Sequence, residues 1–451
     1  GTFNAAFVPS YSSLLDNKKK LQYFANSIFN LLIIGLFFLV LVIEIFMPFF
    51  VFLIAPGFEG DYQKMELAVT LTRITFPFLM FISLASFFSA ILNSNNKFAI
   101  ASAAPIILNI LLIGVLLFGK ILNDQLVYYL SYAVTLAGIL QLVFLYFYVK
   151  KYFSPNINFS IRIDSKVKTF FKKLLPSIFS SGVTQINILV GTIIASFQTS
   201  AVSYLYYADR VYQINLAIAG IAIGTVILPQ LSKYVQKKNK EKINLIQNKA
   251  LELSLFLSIP AAMALLIGSE EIISSLFGYG SFDELSVKNS AKALFYFAIG
   301  LPAFALIKVF STFFFSRDNT KLPFYISLIS VLLNILISII FFKAVGFIII
   351  PIATTISSWF NAIFLFIFLK KENLFNFNLT FIDRFIKILF ATILMGIFFN
   401  FLIYLFNDKL GYFEDLKALY LIGIVAMGLM FYLLVAILIK AFKKSDINLN
   451  Y

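Results

Sequence analysis

The sequence predicts an all-α integral membrane protein with twelve complete transmembrane helices and part of one more. It reads as two parallel, pseudo-symmetric lobes followed by a C-terminal helix pair. Three observations carry this. Of 451 residues, 61% are hydrophobic, against about half in a soluble globular chain. The apolar residues gather into runs of about 20 or more, the length that crosses a ~30 Å hydrocarbon layer as helix. The pattern also repeats weakly along the chain.

Complete spans are expected at 24–54, 66–92, 99–119, 126–149, 174–197, 202–231, 251–277, 290–315, 323–342, 347–369, 385–406 and 418–440. Residues 1–15 read as the end of a further helix. Only the connections 150–173 and 370–384 are long enough for structure of their own, so no soluble domain is expected. Cytoplasmic loops of polytopic proteins are enriched in Lys and Arg. Assigning alternate loops to the cytoplasm places 25 of the 36 Lys and Arg there and 6 in the opposite loops. The C-terminus is therefore expected in the cytoplasm, and one missed span would destroy the alternation.

The same asymmetry accounts for the net charge of +15 without nucleic acid. The chain has no Cys and no His, which excludes disulfides, thiolate and imidazole metal sites, and imidazole catalysis. There is no Gly-x-x-x-x-Gly-Lys-Ser/Thr loop for ATP, no carboxylate cluster at metal-ligand spacing, and no Ser–His–Asp set. The reading is a non-enzyme with no cofactor.

Leu108-Asn109-Ile110-Leu111 recurs as Leu333-Asn334-Ile335-Leu336, and Pro77 recurs as Pro302, both 225 positions on. Ala133-Val134-Thr135 matches Ala353-Thr354-Thr355 at 220, with Gln141 then facing Asn361. The repeated units share one membrane orientation, the mark of a parallel repeat about an axis along the membrane normal. The expected division is 1–151 as a first lobe, 152–371 as a six-helix second lobe, and 372–451 as the final pair. On this spacing the first lobe lacks one helix and most of another, so roughly 50–60 residues are expected to precede Gly1.

Ionisable residues at bilayer depth cost about 2.5–3.5 kcal/mol each on insertion scales and are functional candidates. Arg210 is the strongest, about ten residues or ~15 Å into its helix. Its helical stripe runs Arg210, Gln213, Ala217, Gly220, Gly224, polar and then small, which suits either a cavity or close helix contact. Asp209 adjoins it about 100° away, leaving open a structural Arg–Asp tie. Ser180, Thr184, Asn187 and Gly191 share a face of the preceding helix, lining the same cavity or bonding between helices. Arg73 lies one to two turns from the outer end of its span, within snorkelling reach of the interface. Glu44 is expected to pair with a cation from the preceding part. Lys249, Glu252, Lys292 and Lys308 are expected to pair between helices or approach a surface. Asn109 and Asn334 are expected to hold helices together.

Tyr206-Tyr207-Ala208-Asp209-Arg210, followed by the run from Gly220 to Ser232, resembles the signature of MurJ-type (MviN) lipid II flippases. These belong to the multidrug/oligosaccharidyl-lipid/polysaccharide exporter superfamily. Residues 1–9 (GTFNAAFVP), Ala55-Pro56-Gly57-Phe58, Ile74-Thr75-Phe76-Pro77 and Leu92-Asn93-Ser94 are similar as well. The resemblance covers essentially the whole chain. It implies fourteen helices in all, with the two lobes around a central cavity and the C-terminal pair forming a lipid-tail groove. It implies that Arg210 meets the substrate diphosphate; Asp209, Gln213, Asn187, Thr184 and Arg73 are further binding candidates read from their positions in the spans. It implies an ion site whose counterparts here, Asn334, Ser338 and Thr354, carry no acid. Coupling is then to the membrane potential or to a monovalent cation.

The expected activity is translocation of lipid II, a polyprenyl diphosphate-linked disaccharide peptide, across the bacterial inner membrane by a monomeric chain. A buried Arg replaces the water that the anionic headgroup loses in crossing hydrocarbon. The alternative is a related exporter of drugs or of another polysaccharide-linked polyprenyl diphosphate. Its drug-exporting members generally rely on buried carboxylates, in which this chain is poor. A polytopic transferase or a non-catalytic scaffold fits the absent His and the mid-span Arg less well.

Overall fold

The computed structural model describes residues 2–14, 16–119, 125–158 and 165–441. The described residues are helical or lie in turns and loops, with no strand among them. They include nine stretches long and apolar enough to cross a membrane. By its internal contacts the chain divides into two compact units, Gly1–Leu189 and Val190–Tyr451.

The first unit contains α1 (Thr2–Ser12), α2 (Lys18–Ile45), α3 (Met47–Ile54), α4 (Tyr62–Thr75), α5 (Phe78–Ser94), α6 (Phe98–Ala103), α7 (Ile106–Leu117), α8 (Leu126–Val149) and most of α9 (Ser165–Ala195). Three of the expected spans are broken near a proline. Pro48 stands just past the break between α2 and α3, Pro77 lies between α4 and α5, and Pro105 between α6 and α7. Proline lacks the N–H that continues the helical ladder and clashes with the preceding turn. The core is aromatic. Phe7 of α1 lies 5.8 Å from Phe24 and 5.1 Å from Phe87, and Phe87 lies 5.6 Å from Phe153. The opposite faces expose Phe37, Phe38 and Ile110, as a lipid-facing surface requires.

The second unit contains α10 (Ala201–Leu216), a π-helical turn (Ala217–Ala222), α11 (Ile223–Gln236), α12 (Lys240–Ile267), α13 (Ser269–Phe277), α14 (Glu284–Phe315), α15 (Lys321–Val345), α16 (Ile349–Lys371), α17 (Leu379–Leu405), α18 (Asn407–Leu410) and α19 (Lys417–Leu438). The central member is α14, with Leu294, Ala298 and Leu301 fully enclosed. Gly346 closes the tight connection from α15 to α16 at φ +73. A side chain there would be strained, and its Cβ would stand 2.9 Å from Gln198 Oε1. That oxygen accepts the Phe347 N–H at 2.8 Å. The C-terminal helices α17 and α19 stack Phe398 on Phe431 at 4.4 Å, and Tyr432 Oη donates to the Phe256 carbonyl at 2.9 Å.

Short polar side chains start the helices. Asn17, Asp61, Asn239 and Asp283 accept the backbone N–H three residues on, at 2.8–3.1 Å, each cap contributing about 1 kcal/mol. Hydrogen bonds from Ser286 hold the Asp283 carboxyl below its usual range.

Several of these devices occur twice. The caps Asn17 and Asn239 stand 222 positions apart. So do two left-handed helix ends, Asn96 (φ 59) and Asp318 (φ 58). Each is followed by an N–H bonded five residues back, Lys97 to Leu92 and Asn319 to Phe314, the Schellman closure. The Thr135 hydroxyl donates to the Ile74 carbonyl and the Thr355 hydroxyl to that of Tyr296. The threonine match read at 220 therefore carries the same hydrogen bond in both places.

The asparagine pair behaves differently. Asn334 joins α15 to α16 by donating to Thr354 Oγ1 at 3.1 Å. Asn109 is exposed on α7, so the expected helix-holding role falls to Asn334.

Candidate functional site

Helix α10 begins after Ser200, held at a left-handed φ of 60. Its inward face is Tyr204, Ala208, Val211 and Tyr212, all buried. Tyr212 fastens it, with ring centroids 5.5 Å from those of both Phe297 and Phe304 on α14. The other face carries Tyr206, Arg210 and Gln213, all exposed. The Arg210 guanidinium lies 4.7 Å from the centre of the Tyr206 ring, a cation–π contact one turn away. Asp209 instead accepts a hydrogen bond from Gln213 Nε2. Among the described residues no ion pair engages Arg210. The structural Arg–Asp tie that the sequence leaves open is not the arrangement found.

The small half of the stripe has a separate role. After Leu216 the helix widens into its π turn, a feature frequent at functional sites. Gly220 is buried there, and a Cβ on it would stand 3.3 Å from Ala305 Cα and 3.4 Å from Lys308 Cγ of α14. The stripe is therefore divided, polar on its open part and in close helix contact at Gly220. A valine cannot fit against that backbone. Gly220→Val is expected to destabilise by about 1–3 kcal/mol, read as a fall of several degrees in Tm of the purified protein. An unchanged Tm would mean the two helices do not meet here.

The sequence offers Lys308 only as a pairing or surface residue. The structure sets it against the π turn, exposed at its end, and no ion pair holds it among the described residues. It is a second cation along the same α10–α14 seam. Its own sequence context, Ala-Leu-Ile-Lys-Val-Phe, gives no sign of that neighbour.

The other candidates fall elsewhere. Asn187 is half-buried on α9 in the first unit. The side chains of Ser180 and Thr184 lie outside the described residues. Arg73 is in the last turn of α4, which starts at Tyr62 rather than 66. It is thus about 16 Å along its helix, whose first turn is polar. Arg73 also acts electrostatically on Glu44 of α2, so Glu44 has a cation within its own unit. Asn334, Ser338 and Thr354 do come together. Ser338 Oγ donates to Asn334 Oδ1 at 3.1 Å, and Thr354 Oγ1 donates to the Ile350 carbonyl at 2.8 Å. Their polar atoms hydrogen-bond one another and carry no charge.

Of the C-terminal pair, α17 contributes Ile382, Phe385 and Leu389 to an apolar groove of about 670 Å³ shared with α12, α14 and α16. Helix α19 does not line it. Helices α17 and α19 themselves stack through Phe398 and Phe431.

A multi-helix fold with nine described stretches long and apolar enough to cross a membrane defines a polytopic membrane protein. The chain matches the model of the family described as lipid II flippase MurJ over residues 1–421. It is 35% identical over 378 residues to the probable lipid II flippase MurJ of Rickettsia prowazekii, covering 83% of this chain and 74% of that one. It is 37% identical over 382 residues to the corresponding protein of Rhizobium tropici, covering 82% and 71%. The solved structure of lipid II flippase MurJ in an inward closed conformation superposes with a TM-score of 0.79 at 27% identity, covering 98% of this chain and 88% of that one. An inward-facing multidrug resistance MATE transporter of the MOP superfamily shares the fold at 16% identity and a TM-score of 0.67, covering 83% and 87%. The chain belongs to the lipid II flippase MurJ family.

Proposed function

We propose that this protein moves lipid II across the bacterial inner membrane by alternating access, with Arg210 as its contact to the diphosphate. Family membership supports the substrate. The observation that carries the residue is the exposed guanidinium, set over Tyr206 and outside any ion pair among the described residues, while Asp209 hydrogen-bonds Gln213. Its planar array of donors suits phosphate oxygens. Lys308 and Gln213 complete a polar strip, Asn187 and Thr184 are further candidates in the same lobe, and Arg73 is the candidate in the first.

The working architecture is twelve complete spans and a partial one. It comprises lobes 1–151 and 152–371 around a central cavity, the pair 372–451, and a cytoplasmic C-terminus. The hydrogen bonds recurring at 220–222 positions support two lobes, and the 25-to-6 division of Lys and Arg supports the orientation. The unit is a monomer. The neutral Asn334–Ser338–Thr354 cluster favours the membrane potential over a monovalent cation as the driving force.

The test is reconstitution of the intact protein into vesicles with fluorescent lipid II, following loss of label accessibility from one leaflet. Transfer of lipid II and not of cationic drugs is expected. Transfer of drugs alone would establish the exporter alternative.

A further inference from the structure

Two extended segments are gripped by side-chain amides in the same way. In the first unit, Gln22 Nε2 donates to the Tyr152 carbonyl at 2.8 Å. Asn26 Oδ1 accepts the Asn156 N–H at 2.8 Å, and Asn30 Nδ2 donates to the Asn156 carbonyl at 3.0 Å. In the second unit, Asn248 Nδ2 donates to the Asn376 carbonyl at 2.9 Å, and Asn248 Oδ1 accepts the Asn378 N–H at 3.0 Å. Asn244 Nδ2 reaches Asn378 Oδ1 at 2.6 Å. The pairs Gln22 and Asn244, Asn26 and Asn248, and Asn156 and Asn378 all stand 222 positions apart.

The geometry explains the spacing. Four residues of helix rise about 6 Å, and two residues of extended chain cover about 6.6 Å. Amides every fourth residue on α2 therefore stay in register with its segment, whereas on α12 Asn248 holds the backbone of 376 and 378 and Asn244 holds the Asn378 side chain. Of the intervening side chains, Phe153 and Phe375 turn into the core, while Ile157 and Phe377 are exposed. Phe153 and Phe375 are almost fully buried, Phe153 against Phe29 at 5.8 Å and Phe375 against Phe313 at 5.9 Å. Each segment follows the last helix of its repeat, α8 or α16, and leads out of it.

We infer that these clasps bind each outgoing segment to its own helices throughout transport, so that 152–158 moves with α2 and α8, and 374–378 with α12 and α16. The rearrangement of alternating access then takes place outside both segments. The inference rests on the flippase reading above, and its residues lie outside the binding strip.

The absence of cysteine makes the test clean. Asn26→Cys with Asn156→Cys, and Asn248→Cys with Asn378→Cys, are made in the intact protein and joined by a short thiol crosslinker. With the lock closed, lipid II transfer is expected at the unmodified rate. Left unjoined, each pair is expected to raise backbone hydrogen exchange of its segment by about tenfold and to slow transfer. Loss of transfer on locking would show that the clasp opens in the cycle and overturn the inference. So would fast exchange with unimpaired transfer in the unjoined pairs. If the unsubstituted protein moves no lipid II, the flippase reading fails instead, while hydrogen exchange at the two segments still judges the clasps.

Discussion

Arg210→Ala is expected to reduce lipid II transfer by a hundredfold or more while leaving the protein folded and inserted. Charge-assisted hydrogen bonds contribute about 1.5–3 kcal/mol each. Losing the two that a planar guanidinium makes to one phosphate therefore costs on the order of 3–4 kcal/mol, two to three decades in affinity. The fold does not depend on this side chain. It is exposed, its contact is the face of Tyr206, and α10 is anchored through Tyr212 and Ala208 on the opposite side. Tm should consequently change little. Arg210→Lys keeps the charge but not the fork of donors, so it should restore only part of the activity. The measurements are transfer in vesicles and growth of a bacterial strain depleted of its own flippase. Normal growth supported by Arg210→Ala would remove Arg210 from the substrate site.

How much of this was readable from the residues depends on how local each determinant is. Helical apolar spans follow from composition within about 20 residues, and the described residues include nine stretches long and apolar enough to cross a membrane, while the breaks at Pro48, Pro77 and Pro105 are seen only in the structure. The repeat was legible as short matches, but its clearest expression was not. The amide clasps join residues more than 120 positions apart, and a Gln or Asn in a loop-proximal turn looks like any solvated polar residue. Arg210 stood out because an arginine within an apolar run is costly. Lys308 did not, because its meaning depends on the glycine of another helix pressed beside it. The stripe below Arg210 was ambiguous for the same reason. Small residues serve a cavity and a tight crossing equally well until the partner backbone of Ala305 is in place. The start of α4 at Tyr62 is set by the Asp61 cap rather than by hydrophobicity, which lengthens the helix on its polar side.

Lys417 is the case where the sequence pointed away from the answer, and its replacement carries the second large effect. By position it is one of six cations in outer loops, a solvated residue at the start of a span. In the structure it is completely enclosed. Its Nζ donates to the Gly278 carbonyl at 2.7 Å and to the Tyr412 carbonyl at 2.5 Å. The ring centres of Tyr279 and Tyr412 lie 4.4 and 4.7 Å away. Among the described residues no carboxylate pairs with it. The charge is carried by carbonyl dipoles and aromatic faces, with the end of α13 presenting its negative pole. The cage joins the loop after α13 to the loop before α19, and the Tyr412 hydroxyl adds a bond to the Phe282 carbonyl at 2.8 Å. An uncaged charge there would be far too costly, so the lysine and the two loops order each other. Lys417→Met keeps the apolar stem and removes the donor, leaving two buried carbonyls unpaired at a cost of about 3 kcal/mol. The expected result is a Tm lower by several degrees and faster proteolysis between α17 and α19, with the first unit unaffected. Lys417→Arg should not rescue, because a planar fork does not fit a pocket shaped for a compact ammonium. A Tm unchanged in Lys417→Met would mean that stacking between Phe398 and Phe431 alone fixes the C-terminal pair.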